Sequence, residues 1–154
     1  MASITTILLP TGFSDLSRRA AEHARLLSQK HNAVVHVLHV VPPPVPAEIP
    51  ATGVPHMPPM SLPSDTLEIA KSSVERFADE HLPGLALRPV SAVAIGPIEA
   101  EIVAYAQKHG VDLIVMGTHA DGIVKRLIFG SVSKTVLEHS PCAVLLVPVK
   151  DAKR

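Results

Sequence analysis

Five short runs of apolar, largely β-branched residues alternate along this chain with longer segments in which apolar positions recur at helical spacing. Residues 33–41 (AVVHVLHVV) and 142–149 (CAVLLVPV) are nearly continuous apolar runs, which is the pattern of strands covered on both faces in a parallel sheet. Proline or glycine follows several of the runs, as is usual where a strand enters a loop. The predicted strands cover residues 4–9, 33–41, 85–95, 111–117 and 142–149.

The segments between these strands have amphipathic helical patterns. After Ser14, which is a good N-cap residue, the apolar residues at positions 16, 20, 24 and 27 form one helical stripe. The predicted helices run from Ser14 to about His31, from Asp65 to the stop at Pro83, from Pro97 to about His109, and onward from Gly130–Ser131. Strands alternating with helices predict a single-domain α/β fold, a doubly wound five-stranded parallel sheet with right-handed crossovers and helices on both faces.

One stretch interrupts this alternation. Residues 42–63 contain nine of the fifteen prolines, and proline removes both the amide donor and helical freedom. The resulting loop exceeds the ordinary connection length in a compact domain, so it is expected either to be mobile or to be ordered against a partner. We predict one domain over residues 1–149 that carries this proline-rich loop, followed by a short tail at residues 150–154.

Charge and hydropathy narrow the possible function classes. Lys plus Arg and Asp plus Glu number fourteen each, so the chain has no basic field to attract nucleic acid or an anionic membrane surface. No segment approaches the roughly 18 apolar residues of a membrane span, and the start of the chain lacks the pattern of a signal peptide. We therefore expect a cytoplasmic protein that binds neither nucleic acid nor membrane. The single cysteine, Cys142, lies in the last apolar run and is predicted to be a buried structural thiol.

In doubly wound sheets, ligands bind beyond the carboxyl ends of the strands, where the winding reverses. This rule directs attention to Pro10-Thr11-Gly12 after the first strand and to Met116-Gly117 after the fourth. A glycine-containing loop then leads from Gly117 to a helix start at Gly130–Ser131. Glycines let backbone amides approach a ligand, and a helix N-terminus attracts anions, so the loop favours phosphate. The same residues also occur as ordinary turn and cap residues, and that alternative stays open.

Other candidate chemistry has weaker support in the sequence. His36 and His39 lie an odd number of residues apart on one strand, so they are predicted to point to opposite faces and not to share a metal ion. No cysteine pair, HExxH or carboxylate-rich loop indicates a metal site. Ser131 lacks the GxSxG setting of a nucleophile, and capping is its predicted local role. Neither a Walker A lysine motif nor GxGxxG is present, so we assign no catalytic residue.

The loop reads Gly117, two residues, Ala120, nine residues, Gly130 and then Ser131. This spacing resembles the universal stress protein motif of glycine, two residues, glycine, nine residues, glycine, then serine or threonine. Further segments are similar to that family in the same order: ILLPTGFSDLS, HVLHVV, GPIEAEIV, VDLIVMGTH and LIFGSVSKTVLEHSPCAVLLV. The resemblance spans nearly the whole chain and fails only in the proline-rich segment.

The resemblance implies an adenine-nucleotide α-hydrolase-like sheet with strand order 3-2-1-4-5, and a homodimer formed through the last strand, residues 142–149. Many members of the family bind ATP and others bind no nucleotide. Two departures stand out: Gly12 replaces the Asp that helps to hold the nucleotide, and Ala120 replaces the second motif glycine. The implied ligand-binding positions are Pro10, Thr11, Gly12, Val40, Met116, Gly117, His119, Ala120, Gly130, Ser131 and Val132.

Three hypotheses follow. The first is a cytoplasmic, homodimeric universal stress protein that binds an adenine nucleotide, ATP or AMP, with or without Mg²⁺, and has a regulatory role in the stress response. The alternative is a nucleotide-independent dimeric interaction module whose pocket is vestigial, as Gly12 and Ala120 would suggest. The third is slow ATP hydrolysis or phosphotransfer, for which the sequence offers no catalytic base. No protein partner can be named from the sequence.

Overall fold

A computed structural model describes residues 3–44, 62–120 and 130–150. Most of the proline-rich segment predicted as a loop at residues 42–63 lies outside the described residues, as do residues 121–129 and 151–154. Within the described ranges no helix is long and apolar enough to cross a bilayer. The elements in chain order are β1 (Thr6–Pro10), α1 (Asp15–His31), β2 (Val34–Val41), α2 (Thr66–His81), β3 (Val90–Ile95), α3 (Ile98–Lys108), β4 (Leu113–Ala120), α4 (Ser131–His139) and β5 (Ala143–Lys150).

The five strands form one sheet in which every pairing is parallel. Their order is β3-β2-β1-β4-β5, so the predicted topology is confirmed. The chain winds from β1 outward to β3, returns across the sheet to β4, and then winds outward to β5. The direction of winding therefore reverses between β1 and β4.

Helices cover both faces of the sheet, as predicted, and each face has its own apolar core. On the first face, α1 contributes three alanines, which let the helix approach β4 and β1 closely, and α2 adds Val74 and Phe77. On the second face, α3 contributes Ile102 and Ala106, and α4 contributes Val136. The central strands β1, β2 and β4 are buried between these layers, which explains their nearly continuous apolar runs, whereas the edge strands β3 and β5 are only partly buried.

All five strands differ from their predicted bounds by at least one residue, and the differences in β3, β4 and β5 bear on the edges of the sheet and on the site. β3 begins at Val90 and not at residue 85, because Pro89 has no amide to donate to the ladder with β2. β4 continues beyond Gly117 to Ala120, because β5 pairs with it along this whole length, through Lys150. β5 starts one residue later than predicted, at Ala143, and also ends one residue later.

Cys142 therefore precedes the strand, and it is half-buried where full burial was predicted. The reason lies in the turn that leads into β5. Ser140 Oγ donates to the Cys142 carbonyl oxygen at 2.9 Å and lies 3.6 Å from Cys142 Sγ. The thiol thus sits beside a polar turn and not inside the sheet.

His36 and His39 point to opposite faces of β2, as predicted. The His36 Nδ1 atom lies 2.9 Å from the Tyr105 hydroxyl on α3, and the Tyr105 ring stacks on that of His109 at 4.0 Å. His39 lies instead beside Phe13, with ring centroids 4.6 Å apart. Burial, and secondarily the nearby His109, lower the pKa of His36. The neutral form of His36 is therefore favoured in the folded state.

This pKa shift predicts a pH-dependent contribution to stability. The unfolded chain binds a proton at His36 near pH 6.5, whereas the folded protein binds it only at lower pH, so stability falls as the pH drops below about 6.5. We expect His36→Gln to reduce the difference in melting temperature between about pH 7.5 and about pH 5. His23→Gln, on the exposed surface of α1, is the control. An unchanged pH dependence in the His36 variant would contradict this assignment.

Gly117 lies where β4 approaches the start of α1 most closely. A Cβ atom built on Gly117 would come within 2.3 Å of the Leu16 carbonyl oxygen and 2.7 Å of its carbon. Backbone atoms cannot move aside as a flexible side chain can, so only glycine fits. Gly117 is thus required by the packing of α1 on β4, independently of any ligand.

We expect Gly117→Ala to destabilise the folded protein by about 1–3 kcal/mol, because the methyl group forces α1 away from β4. The matched control is Gly12→Ala, since a Cβ atom on Gly12 would meet no atom within 4 Å. Urea denaturation of both variants measures the two changes on one scale. Equal free energies of unfolding for the two variants would show that α1 can move away from β4 without loss of stability.

Candidate functional site

A cleft of about 410 Å³ opens at the carboxyl ends of β1, β2 and β4, where the winding reverses. It lies at the position that the topology rule predicts. Nine of the eleven predicted ligand-binding residues line it: Pro10, Thr11, Gly12, Val40, Met116, Gly117, Gly130, Ser131 and Val132. These predicted residues therefore lie together around one cleft, and their role in binding a ligand stays a prediction.

The other two predicted residues, His119 and Ala120, follow Thr118 in β4, where they pair with Val149 and Lys150. Their side chains lie outside the described part of the structure. The backbone at Ala120 is extended, so the non-glycine residue at the second motif position is not in the left-handed conformation that would strain it. The motif thus begins inside a strand, whereas the sequence predicted a loop.

The turn between β1 and α1 forms one wall of the cleft and bonds within itself. The Gly12 amide donates to Ser17 Oγ at 3.0 Å, and the Phe13 amide donates to Thr11 Oγ1 at 3.0 Å. The Thr11 carbonyl oxygen accepts from His39 Nδ1 at 2.8 Å, which places the proton of the imidazole on that nitrogen. The amides of Gly12 and Phe13 are consequently occupied by protein oxygens.

The first turn of α4 forms the opposite wall. Gly130 occupies the N-cap position with φ −60°, and the first helical bond runs from the Lys134 amide to the Gly130 carbonyl oxygen at 3.0 Å. The amides of residues 131–133 have no acceptor within the helix, and glycine offers no side chain to cap them. Ser131 is the first helical residue, so its predicted capping role is wrong. A Cβ atom on Gly130 would meet nothing within 4 Å.

The N-terminus of α1 also reaches the cleft, from the other face of the sheet. Ser14 is the N-cap residue, as predicted, but its side chain makes no capping hydrogen bond. The first helical bond runs from the Arg18 amide to the Ser14 carbonyl oxygen. Two helix N-termini therefore direct their partial positive charges into one cleft.

The described lining is mainly apolar with several hydroxyl groups, and it carries no carboxylate, ammonium or guanidinium group. Its hydroxyl groups include those of Thr11, Ser17, Thr118 and Ser133, which are all buried residues. Apolar side chains of β2, α3 and β4 form the remaining surface, among them Val40, Ile102 and Met116. Such a cleft suits a ligand with a flat, weakly polar part and an anionic part.

The groups with shifted pKa values lie away from this cleft. Burial raises the pKa of Tyr105. Hydrogen bonds donated by the Thr5 amide, the Thr5 hydroxyl and the Thr6 amide lower the pKa of Asp112, which joins β1 to β4 at their amino ends. Within residues 3–44, 62–120 and 130–150, no cluster of three or more histidine, cysteine or acidic residues could hold a metal ion.

Several lining residues were not predicted from the sequence, among them Ser14, Ser17, His39, Thr118 and Ser133. Two signals could have identified some of them. Ser14 and Ser17 stand three residues apart at the start of α1, so they fall on one side of its first turn. Thr118 directly follows Gly117 and so faces the other side of β4, but this inference requires that the strand continues beyond the glycine.

Sequence comparisons identify relatives along the whole domain. The model of the universal stress protein family matches residues 3–148. The chain is 32% identical over 145 residues to universal stress protein MJ0531 of Methanocaldococcus jannaschii, covering 92% of this chain and 80% of that protein. It is 35% identical over 146 residues to a universal stress protein of Thermus aquaticus, covering 92% of this chain and 97% of that one.

Solved structures of the same fold agree with these matches. Universal stress protein UspA from Lactobacillus plantarum superimposes with a TM-score of 0.70 at 23% identity, covering 96% of this chain and 99% of that chain. A universal stress protein in complex with cAMP gives a TM-score of 0.61 at 18% identity, with 94% and 97% covered. The universal stress protein of Archaeoglobus fulgidus in complex with dAMP gives 0.64 at 16%, with 96% and 99% covered. The family match along the domain and the shared sheet show that this chain belongs to the universal stress protein family.

Proposed function

We propose that this chain binds an adenine nucleotide in the cleft between β1 and β4 and, as a cytoplasmic homodimer, has a regulatory role in the stress response. The observation that carries the proposal is the uncapped first turn of α4. Its amides at residues 131–133 line the cleft, and Gly130 leaves the space in front of them open. A helix N-terminus of this kind binds phosphate through backbone amides and the helix dipole.

The walls of the cleft fit the rest of a nucleotide. Leu38, Val40 and Met116 supply apolar surface on which a purine ring can lie. By resemblance to the family, the backbones of Val40 and Met116 contact adenine. Two of the structural relatives described above are complexes with cAMP and dAMP. We infer the same ligand class here, with ATP or AMP as the candidates and Mg²⁺ as a counterion of a polyphosphate.

Glycine at residue 12 is expected to weaken nucleotide binding without abolishing it. The family Asp that helps to hold the nucleotide is absent at this position, and a Cβ atom placed there would meet no protein atom within 4 Å. Phosphate recognition in such sites depends mainly on backbone amides. We therefore expect weaker binding than in members that carry the acid, and not a loss of binding.

The proposal predicts that ATP or AMP stabilises the purified protein. Ligand at a hundred times its dissociation constant adds about 2.7 kcal/mol, a shift of several degrees in melting temperature for a chain of this size. We expect this shift with ATP in the presence of Mg²⁺ and not with GTP. Mass spectrometry of ligand released from the denatured protein tests the same point, and phosphate release in the same sample measures any slow hydrolysis.

Gly130→Asp provides a variant whose two effects have opposite signs. Aspartate is a preferred N-cap residue and is favourable near a helix N-terminus, so the ligand-free melting temperature rises. The carboxylate then accepts hydrogen bonds from the amides that are proposed to bind phosphate, so ATP no longer raises the melting temperature. Gly130→Asn is the uncharged control. An ATP shift that survives in Gly130→Asp would place the phosphate elsewhere.

The alternative, an interaction module with a vestigial pocket, predicts no shift with any nucleotide. Gly12→Asp separates a weakened site from a vestigial one, because a Cβ atom at residue 12 meets no protein atom within 4 Å. Tighter ATP binding in this variant means that the site is intact apart from the missing acid. A variant that folds and still binds nothing would favour the module.

We also propose that the homodimer forms through the last strand. β5 is an edge strand, and within the described residues it pairs only with β4. Val144, Leu145 and Leu146 are only partly buried there, and an exposed apolar edge strand readily pairs with another chain. Pro148 donates no amide, so pairing between copies would involve the earlier part of the strand.

This arrangement predicts a dimer by sedimentation at tens of micromolar protein. It also predicts that amide hydrogens of residues 143–147 exchange more slowly as the protein concentration rises, because pairing protects the outward-facing amides. Amides of β3, the opposite edge of the sheet, serve as the internal control. A monomeric sedimentation profile, or exchange that is independent of concentration, would remove the proposal.

A further inference from the structure

Thr118 lies in the cleft and has a buried hydroxyl group with no hydrogen-bond partner among the described residues. The residue is 3% exposed and lines the cleft between β4 and the first turn of α4. Its Oγ1 atom is the only buried side-chain oxygen or nitrogen of the described residues that lacks a partner. When folding removes a hydroxyl group from water and provides no hydrogen-bond partner in exchange, the folded state is destabilised.

Three other buried hydroxyl groups of the described residues are bonded. Thr11 Oγ1 accepts from the Phe13 amide, and Ser17 Oγ accepts from the Gly12 amide. Ser28 Oγ, at the far end of α1, donates to the Ala33 carbonyl oxygen at 2.6 Å. Thr118 therefore differs from these three residues, and it lies in the cleft.

The position of Thr118 on the strand determines which wall it faces. Side chains alternate along a strand, so Gly117 faces α1 and Thr118 faces the same side as Met116, toward α3 and α4. On that side the cleft is bounded by Gly130, Ser131 and the unpaired amides behind them. A rotation of about 120° in χ1 moves Oγ1 to the former position of the methyl group and the methyl group to that of the Cβ hydrogen, so the hydroxyl can turn toward an oxygen in the cleft.

We propose that Thr118 is a ligand-binding residue whose hydroxyl donates a hydrogen bond to a phosphate oxygen held at the N-terminus of α4. This inference rests on the proposed nucleotide function and adds to it a contact that neither the motif spacing nor the resemblance assigns. The hydroxyl of Thr118 then gains a hydrogen-bond acceptor only when a phosphate oxygen binds in the cleft. A hydrogen bond to a charged phosphate is among the stronger kinds.

The test uses Thr118→Val, which replaces the hydroxyl with a methyl group of nearly the same shape. We expect the melting temperature of the ligand-free variant to match or exceed that of the wild type, since no hydrogen bond is lost. We expect ATP and AMP to bind about tenfold more weakly by calorimetry, with adenosine unaffected because it has no phosphate. Thr118→Ser keeps the hydroxyl and should retain most of the affinity.

Ser28→Ala is the matched control, because it removes a buried hydroxyl that has a partner and lies outside the cleft. It should lower the melting temperature and leave nucleotide affinity unchanged. A Thr118→Val variant that melts lower, as Ser28→Ala does, would show that the hydroxyl has a partner within the protein and would overturn the inference. Unchanged ATP affinity in Thr118→Val would overturn it as well.

The same measurements distinguish a failure of the Thr118 inference from a failure of the proposed nucleotide function. If the wild-type protein binds no adenine nucleotide, the nucleotide function itself fails, and this inference fails with it. If the wild type binds ATP and Thr118→Val binds it equally well, only the role of Thr118 is wrong. Weaker binding of adenosine by the same factor as ATP would assign Thr118 to the nucleoside part of the ligand and overturn the phosphate contact.

Discussion

The parallel pairing of all five strands is the constraint on which the rest of the structure depends. Each connection must cross back over the sheet, and right-handed crossovers place helices on one face when the winding goes one way and on the other face when it reverses. α1 and α2 therefore cover one face, and α3 and α4 cover the other. At the reversal, between β1 and β4, the two sets of helices diverge and leave the strand ends uncovered. The cleft is a consequence of this topology and would exist with many different linings.

The glycines of the motif have separate physical roles. Gly117 is fixed by the fold, since any side chain there would strike the backbone of Leu16. Gly130 is not fixed by the fold, because its φ angle suits any residue and the space around its Cβ position is empty. Packing therefore explains the first glycine completely, whereas the second needs a different explanation, such as a ligand that approaches the helix closely. A match to the spacing of the motif alone cannot separate these two requirements.

The sequence predicted the fold well because the fold depends on repeated signals. The apolar runs, the alternation of strand and helix, and the opposite orientations of His36 and His39 follow from local periodicity. The end of β4 does not, because it depends on pairing with β5 far along the chain, and residues 118–120 read locally as the start of a loop. The position of Thr118 could not be predicted for this reason. The sequence predicts Ser131 as the capping residue of α4, whereas Gly130 occupies the N-cap position in the structure. The error is one residue, because the sequence does not specify at which residue the helical geometry begins.

The described lining of the cleft attracts anions through dipoles and not through full charges. Amides at the ends of α1 and α4 keep their orientation without a counterion, so an arriving phosphate meets donors that need no rearrangement. In the proposed nucleotide complex, a carboxylate at residue 12 would supply hydrogen-bond acceptors for the nucleotide but would also place a negative charge in the same cleft as the phosphates. Gly12 removes both effects together. The loss of nucleotide affinity caused by glycine in place of aspartate at residue 12 should therefore be smallest for ligands that carry the most phosphate charge. These ligands gain most from the absence of repulsion between the carboxylate and the phosphates.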